Sequence, residues 1–180
     1  MGARAVLECV LIGTWGLGLL ACDLLPRPGD TDGVQQRGEW HQHGRIVVEP
    51  DPRYTVVQMH VDTAGVLEPH DVVLARFDFD PSEGSGDEYA LTIALDLGNA
   101  RARSANRPYS LGDSIPAFAT VTCLCRPLRP DSVRGTYTIQ TRGLRQLAGR
   151  IDATLYFTAW DDPTRHATYQ LRQRIHGVRP

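Results

Sequence analysis

Lysine is missing from this chain of 180 residues: the 19 residues of the Lys+Arg class are all arginine. That looks like codon bias in a GC-rich genome and carries little mechanistic weight. Aromatic residues are sparse at 7%, and of the 4 cysteines only Cys123 and Cys125 lie beyond the N-terminal segment that holds Cys9 and Cys22. No uninterrupted apolar run reaches the ~20 residues that a membrane-spanning helix requires. The longest, Ala5 to Ala21, is broken by Glu8 and several glycines. No sustained 3.6-residue hydrophobic period and no repeat of fixed length occur, which argues against helical bundles and solenoids. There is no glycine-rich phosphate loop, no HExxH and no GxSxG, so no motif fixes a reaction.

What is present fits one globular domain. The chain is 42% hydrophobic and 22% charged with a formal net charge of -2, which excludes disordered, collagen-like and polytopic classes. Beyond any leader there is room for a single core and not for a second domain of ordinary size.

The N-terminus has the order of a secretory signal: Arg4, an apolar middle, then small residues before Cys22. Leu19-Leu20-Ala21-Cys22 resembles the lipobox of bacterial lipoproteins. That resemblance covers residues 1–22 and implies a signal peptide over 1–21, cleavage, and acylation of Cys22 as the new N-terminus. Each buried CH2 of an acyl chain contributes about 0.8 kcal/mol, so two or three chains such as palmitate would hold the protein at a membrane. Asp23 after that cysteine resembles the inner-membrane retention signal of some enteric bacteria.

Residues 22–44 are expected to form the lipidated cysteine and a flexible tether, rich in Pro, Gly, Asp and Gln. About 20 such residues span roughly 25 Å as coil. From 45 to 180 the hydrophobic period is two, the signature of strands with one buried face. Leu91, Ile93, Leu95 and Leu97 share a face, as do Val73, Ala75, Phe77 and Phe79. Ile151, Ala153, Leu155, Phe157 and Ala159 form the cleanest alternation, and Tyr169, Leu171 and Ile175 another. Weaker runs at Ile46–Glu49, Tyr54–Val61, Ala117–Cys125 and Thr136–Thr141 bring the number to about eight. Turn clusters separate them, among them Pro81–Asp87, Arg126–Asp131 and Asp161–Pro163; Leu144–Ala148 alone suggests a helical turn. The expected fold is all-β, an antiparallel β-sandwich or barrel of about eight strands.

Charge is uneven. Residues 23–98 hold 15 acidic residues and 5 arginines, residues 99–180 hold 5 acidic residues and 13 arginines. Pairing of acidic with basic strands would neutralise most of this. The alternative is an arginine-rich face for an anionic envelope component, suited to bidentate contacts. In the last strand Arg172 and Arg174 alternate with Leu171 and Ile175 and should leave on the solvent side, with Asp152 able to answer one of them.

Other candidate chemistry is thin. Cys123 and Cys125 point the same way on an extended strand, their Cα atoms about 6.6 Å apart, at the long limit for a disulfide. They could form a bridge, remain buried thiols, or join the His41/His43 HxH pair in a metal site; His60, His70, His166 and His176 lie elsewhere. Asp78, Asp80, Ser82, Gly84, Asp87 and Glu88 make an acidic loop that departs from the EF-hand pattern at Glu83 and Tyr89. Gly112-Asp113-Ser114-Ile115 resembles the nucleophile block of GDS-type esterases over four residues, with Asp162 and His166 four apart where that family has three. The expectation is a lipid-anchored envelope protein that binds or scaffolds and does not catalyse, with no cofactor and no nucleic acid partner. An envelope metal-binding lipoprotein and a small lipid-anchored hydrolase are the alternatives.

Overall fold

A computed structural model describes residues 35–51, 56–68, 70–79, 89–123 and 128–180. These residues are almost entirely strand. β1 (Gln35–His41), β2 (Arg45–Asp51), β3 (Val56–Asp62), β4 (Val72–Phe79) and β5 (Tyr89–Asp96) precede a single 3-10 turn, Ala100–Ala102. β6 (Pro108–Leu111), β7 (Ala117–Cys123), β8 (Leu128–Arg142), β9 (Gln146–Ala159) and β10 (His166–Val178) follow. Eight of them form one sheet in the order β6-β8-β9-β10-β1-β4-β5-β7, while β2 and β3 form a separate hairpin. β7 returns against β8, so the sheet nearly closes into a barrel. All pairings are antiparallel except β1 with β10, which makes the sheet mixed.

The period-two runs sort as their chemistry dictates. Phe77, Leu91, Ile93, Leu95, Ile151, Leu155, Phe157, Leu171 and Ile175 are buried in one core, and the residues between them on β9 and β10 face outward. A barrel filled with apolar side chains and dressed outside with Arg, Thr and Asp has the reverse polarity of a membrane-spanning barrel. β2 lies against β5, and β3 against β7 and β8. On that side Ala94 and Thr120, which alternation would place outside, are also buried.

Three expectations need correction. The stretch expected to be tether up to residue 44 includes β1, a strand inside the sheet paired with β4 along its whole length. It was hidden because its inward positions include Gly38, where a Cβ would overlap the His176 carbonyl of β10. A glycine is needed at this seam, and glycine reads as loop. The turn expected at 126–131 is strand from Leu128, with a bulge between Pro130 and Ser132. The extra residue switches the phase, so that Leu128 and Val133 both face the core. Leu144–Ala148 is no helical turn: Leu144 is the exposed tip of the β8–β9 hairpin and Leu147 is the buried start of β9.

One end of the barrel is tied into a platform around Asp71, which is 8% exposed. Its carboxylate accepts the Trp40 indole N–H at 3.0 Å and the Ala100 amide at 2.9 Å. Its backbone exchanges bonds with Gly98 and Leu97. The Arg142 guanidinium donates to the Ala100 carbonyl, the Arg179 amide bonds the Arg145 carbonyl, and the Arg179 guanidinium stacks 4.8 Å from the Trp40 ring centre. The loops before β4, after β5 and between β8 and β9 are thus fixed to one another and to the end of β10.

Candidate functional site

The outer face of β8, β9 and β10 is a ladder whose rows follow from register. One row carries Thr136, Asp152 and Arg172; the next carries Thr138, Arg150 and Arg174; the next Thr141, Ala148 and His176. On the other side lies the row of Arg134, Thr154 and Gln170, with the Gln170 amide donating to Thr154 at 2.9 Å. Arg172 does face Asp152 across the pair, Nε to Oδ1 at 3.1 Å, both exposed. Arg134 approaches the exposed Asp113 at 3.8 Å.

Arg174 faces Arg150 directly. Among the described residues neither has a carboxylate within ion-pair distance. Like charges set opposite each other across an antiparallel pair are destabilising. Here both guanidinium groups stand on exposed positions of long, rigid strands, so their charge is presented outward instead of being answered inside the fold. Exposed ion pairs such as Arg172–Asp152 contribute only ~0 to 1 kcal/mol, so this face owes little to stability.

The other sequence-derived candidates are scattered. Cys22 and Cys125 lie outside the described residues, as does the Cys123 side chain, although the Cys123 backbone ends β7 opposite Tyr89. His41 closes β1 with its Nε2 2.8 Å from Glu39, while His43 occupies a left-handed turn at φ 58°. His60 sits on β3. His70 lies 2.9 Å from Asp96 and 3.7 Å from Glu68. The Asp96 hydrogen bond, aided by the charges of both carboxylates, raises its pKa against a smaller desolvation effect. No group of three or more His, Cys, Asp or Glu suited to a metal occurs among the described residues. Of the acidic loop, Asp78 pairs with Arg76 at 2.6 Å, and 80–88 lies outside the described residues.

Ser114, Asp162 and His166 are not brought together. Ser114 lies between β6 and β7 at the platform end, its carbonyl accepting from Arg103. His166 opens β10 at the opposite end. The Asp162 carboxylate accepts from the Thr164 amide and hydroxyl at 3.0 and 2.7 Å, and these bonds lower its pKa. His166 instead meets the buried Thr158, Nδ1 to Oγ1 at 3.0 Å, and Thr158 lies 2.5 Å from Asp131. The single Thr158 hydroxyl proton goes to the carboxylate, so Nδ1 donates to the Thr158 oxygen. Sequence reading missed this chain because Asp131 enters through the β8 bulge.

Comparison with models of known families, with curated proteins and with solved structures finds no match to this chain. No helix among the described residues is long and apolar enough to cross a membrane.

Proposed function

We propose that this chain is a lipid-anchored protein of a bacterial cell envelope. Its barrel binds an anionic envelope component on the outer face of β8, β9 and β10, and it acts as a binding or scaffolding module instead of an enzyme. Leu19-Leu20-Ala21-Cys22 supports the anchor, which would place the domain on the periplasmic side of a membrane through the acylated Cys22. The observation that carries the binding reading is the Arg150–Arg174 row, two outward guanidinium groups opposed across the sheet and unanswered by acid among the described residues. Such a patch raises the local concentration of an anionic partner and offers paired donors to phosphate or carboxylate. Arg172, already engaged by Asp152, contributes less free charge than Arg174.

A photocrosslinking side chain at Gln170, exposed on this face, is compared with one at Thr122, exposed on β7. In native membranes adducts should form from position 170 and fade at high salt, with few from 122. Equal adducts from both positions, or none from 170, would remove the assignment.

A further inference from the structure

The cationic ladder runs into a recess. Beyond the Arg150–Arg174 row come Ala148 beside His176 and then Gln146 beside Val178. Together with the end of β8 these residues enclose a pocket of about 390 Å³. Ala148 and Val178 give it apolar lining, and Gln146 and His176 give it polar groups. The backbone of Arg142 borders it, while the Arg142 guanidinium, on the side of the buried Leu147, ties that edge to the Ala100 carbonyl of the platform around Asp71. Arg174 precedes His176 by two residues on the same face of β10, about 7 Å along the strand. Among the described residues no carboxylate lines the recess; Glu39 stands opposite Val178 at its edge and is engaged by His41, and Asp152 is engaged by Arg172 one row beyond Arg174.

We infer that this recess is a binding subsite for a phosphate ester. The phosphoryl group sits at His176 on the side facing Arg174, and the organic substituent lies over Ala148 and Val178. Two guanidinium groups and an imidazole on successive rows of one face, Arg150, Arg174 and His176, match a doubly charged oxyanion better than a single carboxylate, and guanidinium forks suit phosphate oxygens. A volume of about 390 Å³ is more than one phosphate needs and leaves room for the ester portion. The inference rests on the reading that this face holds an anionic envelope component, and adds the place and chemical class of the group recognised. That group could belong to a lipid headgroup or to a soluble phosphate ester.

The full chain, purified in a neutral detergent, is titrated separately with inorganic phosphate, glycerol 3-phosphate and dibutyryl phosphatidic acid while backbone amide resonances are followed. Saturable shifts should appear at Gly143, Gln146, Ala148 and Gly177, with both esters binding at least fivefold tighter than inorganic phosphate. His176→Ala should weaken the esters at least fivefold while leaving the rest of the spectrum in place. Tighter binding of phosphatidic acid would assign the group to a lipid headgroup, and equal binding of the two esters to a soluble one. Shifts confined to the Arg150 and Arg174 rows and indifferent to His176→Ala would overturn the subsite while leaving the cationic face standing. So would the absence of any shift alongside intact crosslinking from position 170. Loss of that crosslinking would instead strike the underlying reading.

Discussion

Replacing Asp71 by alanine tests the platform that fixes one end of the barrel. The carboxylate is buried and accepts two hydrogen bonds from groups with no other acceptor among the described residues, the Trp40 indole N–H and the Ala100 amide. Truncation orphans both donors, and each unsatisfied buried donor costs ~1 to 3 kcal/mol. Entry of water beside the exposed neighbouring loops offsets part of this, giving a net loss of about 2 to 5 kcal/mol. For a domain of this size that lowers Tm by roughly 4 to 20 °C, at ~2 to 4 °C per kcal/mol. Asp71→Asn keeps one acceptor oxygen and should lose about half as much. Urea unfolding followed by far-UV circular dichroism, on chains starting at Asp23, gives the free energies. Trp40→Phe removes one of the two donors in advance, so the double variant Trp40→Phe/Asp71→Ala should fall short of additivity by about 1 kcal/mol or more. An Asp71→Ala protein within about 0.5 kcal/mol of the parent, or strict additivity with Trp40→Phe, would show that the carboxylate does not hold these two donors.

Leu155→Ala should cost about 2 to 5 kcal/mol, because Leu155 is buried in the barrel core, whereas Thr154→Ala on the outer face should stay within about 0.5 in the same urea assay. The His70 imidazole should titrate above 6.5 by NMR, and Asp96→Asn should lower its midpoint. Since the folded state holds that proton more tightly, the associated stabilisation is complete below the unfolded pKa of about 6.5. It is lost as pH rises through the folded value, and stability flat across that range would contradict the pairing. Intact mass of membrane-extracted protein should exceed the polypeptide from Cys22 by a glycerol and two or three acyl chains, and a Cys22→Ala chain processed and anchored identically would remove the anchor.

The fold was legible where burial is one-sided. Ile151 to Ala159 and Leu91 to Leu97 alternate because one face meets the core and the other meets water or a covering hairpin. β1 was not legible, since its sequence offers Trp40 as its one large apolar residue and depends on Gly38 for the close approach of β10. The start of β8 was obscured by two prolines and a bulge, and the hairpin tip by Leu144 and Leu147, whose three-residue spacing imitates a helix. Of the candidate site, the Arg172–Asp152 pair could be read from alternation alone. The Arg150–Arg174 opposition then follows from that register, two residues further along each strand. The recess could not be read, because it depends on how the end of β8, the hairpin and the last turn of chain in β10 are held by Asp71, Ala100 and Arg179.

The most direct test of the cationic face is retention of the chain from Asp23 onward on isolated envelopes, measured across a salt series for the parent and for Arg150→Gln/Arg174→Gln. Both side chains are exposed, so the variant should unfold at the same urea concentration as the parent. The parent should be strongly retained at low salt. That retention should fall as the screening length shrinks from ~10 Å at 0.1 M to ~3 Å at 1 M, and the variant should be weakly retained throughout. Equal retention of the two proteins at low salt would contradict binding through the cationic face.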